Sequence, residues 1–383
     1  MPPRCGASKK NAPIYCRNHA CVPGIVPCLK IIPGGGIRGK TVKSVQIDRF
    51  ISVGENIHCT RVYKVGGKYV KADADGGPAV LYKVGDEIRA LPIPHHFTTN
   101  ADWQAGKVKH CAVAVWQGLY GDSAGRAAGI DYVSRLAAMQ EVAHASYLDI
   151  NVDEFSVDMD ERIKAMRWAV DVVQGATSLP ISIDSSNIEV LRAGLRACDP
   201  ARGRPMVNSV SLERPAAIDV TRESGGVMIV SAGGEKDLPS STQARLANIE
   251  RLMPKLRAAG FEPGALHVDP LVFPIAVDGT NGQKFLATVS ELRRRYGEQI
   301  HIAGGLSNVS FGMPNRMLLN RVFTWLAVRA GADGGIVDPI QINLDVLQRL
   351  DPEDEAFKLA GDLLLGRDEF GMNYITASRE GRI

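Results

Sequence analysis

Residues 147–184, YLDINVDEFSVDMDERIKAMRWAVDVVQGATSLPISID, decide the fold. Tyr147–Asn151 is a short apolar run of strand type, and Pro180–Asp184 is another. Between them Ile163, Met166, Val170 and Val173 recur at three- and four-residue steps, which places them on one face of a helix. Strand, helix, strand in succession is the repeating unit of a parallel sheet covered by helices. Working outward, similar runs stand at Phe50–Gly54, Met206–Ser209, Gly226–Val230, Leu266–Asp269, Ile300–Gly304 and Gly335–Asp338, making eight. Leu318, Leu319, Val322, Phe323 and Leu326 repeat the helical spacing near the end of the series. No Gly-rich dinucleotide fingerprint follows the first strand, so a closed TIM (β/α)8 barrel is expected rather than an open doubly wound sheet. With 383 residues, 45% of them hydrophobic, the chain exceeds the roughly 250 that one such barrel takes.

The surplus falls in two places. Residues 1–46 are rich in Gly, Pro and Lys and lack apolar periodicity, so they read as an irregular N-terminal arm ahead of a barrel over 47–383. After the first strand, about seventy residues pass before the next barrel helix, where a handful is usual, so 59–125 reads as an insertion. Within it, Arg61–Val65 and Lys68–Lys71 alternate around Gly66-Gly67 and predict a β-hairpin, and Ala79–Val84 and Cys111–Trp116 predict further strands. A small β-rich subdomain is expected there, as a lid, a docking surface or a stabilising decoration.

Lysine and arginine number 45 against 42 aspartates and glutamates, and they are scattered, so neither nucleic acid nor membrane is an expected partner. No apolar stretch approaches the roughly 20 residues that span a bilayer, and a cytoplasmic protein is expected. Cys5, Cys16, Cys21 and Cys28, with His19, raise the question of a metal knuckle; their spacing fits no standard zinc pattern and they read as free thiols.

In a barrel of this kind, chemistry sits at the carboxyl ends of the strands. Those ends are polar here: Asp149 and Asn151, Asp184, Asn208, Asp269, Asn308 and Asp338. The set has no cluster of cations for a multiply phosphorylated substrate and no metal-ligand His pair; no metal is expected. Carboxylates and amides suit a neutral heterocycle with an amidine-like edge, because a carboxylate accepts two parallel hydrogen bonds and an amide both donates and accepts. Asp338, before Pro339, and Asn187 can equally be helix caps. None of the eight histidines is a clear catalyst, and His58, at the end of the first strand, comes nearest.

The segments Ile183-Asp184-Ser185-Ser186-Asn187, Val207-Asn208-Ser209-Val210-Ser211-Leu212-Glu213 and Gly305-Leu306-Ser307-Asn308-Val309-Ser310, with Asn315-Arg316 and Asn320-Arg321, resemble the pterin-binding methyltransferases. That family comprises the methyltetrahydrofolate:corrinoid protein methyltransferases and the folate domain of cobalamin-dependent methionine synthase. The resemblance implies that Asp184, Asn208 and Asp269 hold the pterin edge, with Asp149, Asn151 and Arg316 among the folate contacts. It also implies that Asn308 is the catalytic residue, at N5 of tetrahydrofolate or 5-methyltetrahydrofolate, where the methyl group is exchanged with the cobalt of a corrinoid. The family's Gly-Glu-Arg-x-Asn at the first strand is here Gly54-Glu55-Asn56-Ile57-His58, so that contact is altered. No Asp-x-His-x-x-Gly segment of the kind that ligates cobalamin is present, so the cobalamin is expected on a separate corrinoid protein. A homodimer is what the family suggests. Two other readings stay open: a dihydropteroate synthase-like pterin enzyme, for which the basic pyrophosphate residues after Asp338-Pro339 are missing, and a non-catalytic folate-binding subunit.

Overall fold

The structure, a computed structural model, describes residues 47–383. The arm expected over 1–46 and its cysteines lie outside the described residues. Eight parallel strands form the core: β1 (Ile51–His58), β2 (Tyr147–Asn151), β3 (Ile181–Asp184), β4 (Met206–Val210), β5 (Val227–Ser231), β6 (Leu266–Asp269), β7 (His301–Ile302) and β8 (Gly334–Val337). From β1 to β7 each pairs with the next in sequence, and β8 lies beside β1 in the register Ile51 to Gly334 through Gly54 to Val337, which leaves a gap between β7 and β8. The remaining gap is closed by a Gly305–Ile336 bridge, with Ile336 N donating to Gly304 O at 2.8 Å and Asp333 N to Ile302 O at 3.1 Å. β5 and β8 are buried along their whole length, as strands packed on both faces require.

The helices between the strands are stopped and started by the residues at their ends. Asp158 accepts from the backbone N–H of Asp160 and Glu161 at the head of Met159–Ala176, and Asn187 from Glu189 and Val190 at the head of Ile188–Ala197. Asn187 is therefore a cap.

Several expectations need correction. β1 continues past Gly54 to His58, pairing Ile57 with Ile150 and His58 with Asn151; the polar Glu55, Asn56 and His58 disguise it as a loop, although they belong to its site end. Asp338 caps a turn, not a helix: it accepts from Ile340 N at 3.0 Å, and the next helix, Leu344–Gln348, is capped by Asn343. Between β1 and the helix Ser123–Val142, Val62–Lys64 pairs with Lys107–Lys109 and not with the residues just beyond Gly66-Gly67. Alternation marks a strand but does not choose its partner. Val70–Ala72 joins Pro78–Val84 and Glu87–Pro92 in a three-stranded antiparallel sheet. Cys111–Trp116 lies in a helix, His110–Tyr120; its first six residues are all buried, so no polar face betrays the helical period there. The buried residues of this stretch, among them Val70, Val80, Leu91 and Val113, belong to the same apolar cluster as the barrel helices. Among the described residues no helix is long and apolar enough to cross a membrane.

Candidate functional site

A cavity of about 1360 Å³ opens at the carboxyl ends of the strands. Of the site residues expected from sequence, Asp184, Asn208, Asp269, Asn308 and Arg316 line it, together with His58 and Asp338. Asp149 and Asn151 stand one layer back. Asp149 is completely buried; its Oδ2 pairs with His58 Nε2 at 2.8 Å and accepts from Asn208 Nδ2 at 3.3 Å. Asn151 Nδ2 donates to Asp184 Oδ2 at 2.9 Å. These two residues therefore aim the side chains that reach the cavity.

Strand register explains the convergence, since Asn151, Asp184 and Asn208 are direct neighbours across β2, β3 and β4. Asp269 closes β6, where Leu271 N donates to its Oδ1 at 2.8 Å. Gly304 opposite must lack a side chain, because a Cβ there would come within 2.8 Å of that same oxygen. Asn308 sits in the 3-10 turn Leu306–Ser310 that follows β7. A Cβ on Gly305 would come within 2.9 Å of its Nδ2, so this glycine leaves room for the amide. Arg316 braces the same turn, donating from Nε to Ser310 Oγ at 3.0 Å and from Nη2 to Ser307 O at 3.1 Å.

The electrostatics are those of acids held out of water. Burial, and then the Asp149 carboxylate beside it, push Asp184 up to about 7, while His58 and the Asn151 amide hold it down in part. Burial raises Asp269 to about 6 against the Leu271 N–H and the charge of Arg245. For His58 burial opposes the imidazolium, but the hydrogen bond and charge of Asp149 outweigh it and the net shift is upward. Burial also raises Glu55, opposed by Arg61 at 2.9 Å and by the Ser307 hydroxyl, which donates to Glu55 Oε1 at 3.0 Å. His58, Asp149 and Asp184 offer ligand atoms within 4.8 Å of one another, the one such group among the described residues. Both Asp149 oxygens already have partners within the protein.

Two features escape sequence reasoning. Asp149 turns His58 toward the site, whereas the sequence shows only an isolated histidine. Arg245, in the first turn of the helix Thr242–Ala258, is completely buried, lies 5.1 Å over the Phe273 ring and has no hydrogen-bond partner for its guanidinium among the described residues. An arginine in a helix reads as a solvated face, so no local signal could have found it.

Comparison with known proteins adds three findings. Residues 130–338 match the family described as pterin binding enzyme. A methylcorrinoid:tetrahydrofolate methyltransferase of Eubacterium limosum is 28% identical over 261 residues, covering 66% of this chain and 89% of the relative. Among solved structures, dihydropteroate synthase of Xanthomonas albilineans with 7,8-dihydropteroate gives a TM-score of 0.48 at 17% identity, covering 79% of this chain and 93% of that one. The Yersinia pestis dihydropteroate synthase with a sulfonamide gives 0.43 at 18%, covering 61% and 85%.

Proposed function

Because this chain belongs to the pterin-binding enzymes, we propose that it moves a methyl group between N5 of tetrahydrofolate and the cobalt of a corrinoid carried on a separate protein. The observation that carries the reading is the convergence of Asp184, Asn208, Asp269 and Asn308, from four different strand ends, on one cavity. Asp184 and Asp269, once ionised, accept from the 2-amino and N3–H groups of the pterin, and Asn208 supplies a donor and an acceptor beside them. Asn308 donates to N5.

When the methyl leaves the folate, cobalt(I) supplies the electron pair for the new carbon–cobalt bond. The pair of the breaking carbon–nitrogen bond stays on N5, which takes up a proton. In the opposite direction the N5 lone pair attacks the methyl carbon, the carbon–cobalt pair returns to cobalt, and N5 releases its proton to solvent. Both directions pass through the same transition state, and a fixed amide N–H beside N5 stabilises the electron pair there without reorganising.

Anaerobic calorimetry with 5-methyltetrahydrofolate, tetrahydrofolate and a pterin pyrophosphate tests the first half. One-to-one binding of the reduced folates, lost in Asp184→Ala, is expected; binding of pterin pyrophosphate alone would instead favour a synthase. Methyl exchange followed by the absorbance change of free cobalamin, offered in place of the corrinoid protein, tests the second. Folate binding without any exchange, either with free cobalamin or with a corrinoid protein, would leave a binding subunit.

A further inference from the structure

The cavity has a second wall of opposite charge. The inserted three-stranded sheet packs Val70, Val80, Tyr82 and Leu91 into the core. Lys71 is paired with Ala79, Leu81 with Ala90 and Lys83 with Ile88, and alternation along the strands turns these positions to the other face. Lys71, Leu81, Lys83 and Ile88 all line the cavity, joined by Lys68 and by Arg135 of the helix Ser123–Val142.

Arg135 donates to the Lys83 carbonyl oxygen and lies 5.6 Å over the Tyr82 ring. The acid nearest to it in the same helix, Asp131, is taken by Arg89 at 2.6 Å and by the Tyr82 hydroxyl at 2.5 Å. Among the described residues, Lys68, Lys71, Lys83 and Arg135 face the cavity without a carboxylate partner. The acids that line the cavity, Glu55, Asp184, Asp269 and Asp338, all belong to the barrel strand ends. The acids thus gather at the strand ends, where Arg61 and Arg316 accompany them, while the charged side chains of the facing wall are all cations. At about 1360 Å³ it is also larger than the roughly 300–1,000 Å³ that encloses an ordinary small ligand.

We propose that the inserted sheet receives the glutamate tail of the folate, with Lys68, Lys71, Lys83 and Arg135 meeting its carboxylates, so that the protein prefers folates bearing more than one glutamate. The inference rests on the pterin reading, since the strand ends must hold the ring for the tail to reach the facing wall. An acidic face of the corrinoid protein has the same charge as the tail. The tail is favoured because the cations are distributed within the cavity wall, around Leu81 and Ile88, where the aminobenzoyl stem that precedes the glutamate finds apolar contact.

The test compares three ligands on the full chain: a reduced pterin without a tail, the monoglutamate of 5-methyltetrahydrofolate and its triglutamate. Exposed ion pairs add modestly, so the triglutamate is expected to bind about tenfold more tightly than the monoglutamate at low salt, with the preference shrinking as salt rises. The double variant Lys71→Gln/Lys83→Gln is expected to lose that preference and keep its affinity for the tail-less pterin, which also shows that it folds. A wild type that binds the tail-less pterin and both folates without preference overturns this inference alone. A variant with unchanged folate preference but slower exchange with the corrinoid protein gives the wall to the partner and also overturns it. Failure of the tail-less pterin and of both folates to bind would sink the pterin reading and this one together.

Discussion

Folate affinity should fall steeply between pH 8 and pH 6, and the buried carboxyls of Asp184 and Asp269 set how far. A pterin edge presents N–H donors, so each carboxyl must be ionised to receive them, and a proton bound in the free protein has to leave first. With Asp184 pushed up to about 7 by burial and by Asp149, the ionised fraction drops from about nine-tenths at pH 8 to about one-tenth at pH 6, about tenfold. Asp269, at about 6, falls from nearly full ionisation to one-half, about twofold. Together they weaken binding about twentyfold, or about 1.8 kcal/mol. The assay is calorimetric titration of 5-methyltetrahydrofolate at pH 8, 7 and 6 in wild type and in Asp184→Asn. The variant should bind less tightly at pH 8 and retain only the twofold dependence that Asp269 supplies. Any titration of the ligand itself affects both proteins alike and cancels in their ratio. An affinity that stays flat in the wild type, or that falls equally in the two, would refute the assignment of Asp184 to the pterin edge.

Other consequences follow from the same geometry. Asn308→Ala should slow methyl exchange about 100-fold or more while leaving the folate dissociation constant within about threefold, since a dipole at N5 acts mainly on the charge that develops there; single-turnover rates set against titrations separate the two. Asp184→Asn should raise the melting temperature of the ligand-free protein by a few degrees at pH 8, and by less at pH 5. The sign follows from a folded carboxyl that holds its proton above the unfolded value: this costs stability as pH rises from about 4 through about 7, and the amide escapes that cost. Arg245→Met removes the buried cation whose charge holds Asp269 down, so the pH midpoint of folate binding should move upward; an unchanged midpoint in a variant that melts as the wild type does would show that Arg245 serves packing alone.

Much of this was legible before any coordinate. Short apolar runs separated by period-3.6 runs locate all eight strands, because a parallel barrel strand is buried on both faces and must be largely apolar. The rule that polar residues gather at strand ends then isolates Asp184, Asn208, Asp269 and Asn308. Other parts were not legible, for physical reasons. Where β1 ends was hidden because a strand that delivers three polar side chains to a site looks like a loop. The pairing of the inserted strands was hidden because alternation fixes faces, not partners. The helix His110–Tyr120 was hidden because its first six residues are all buried, which leaves no polar face to show a period.

The least legible feature is the one on which the proposed function turns. A sequence shows an aspartate as an acid in water, and nothing between Asp149 and Asp184 reveals that barrel closure will bury the first and half-bury the second beside His58. That burial gives the site its sensitivity. An exposed aspartate would be ionised at neutral pH and would gain little from the pterin, because water already satisfies it; Asp184, largely withdrawn from water with the Asn151 amide as its hydrogen-bond donor, gains more when the N–H edge arrives. The cost of ionising Asp184 in the empty barrel and the strength of its hydrogen bonds in the filled one therefore have a single origin. Removing the cost, as Asp184→Asn does, should remove the recognition with it, so the gain in melting temperature and the loss of folate affinity should appear in the same variant and grow together with pH.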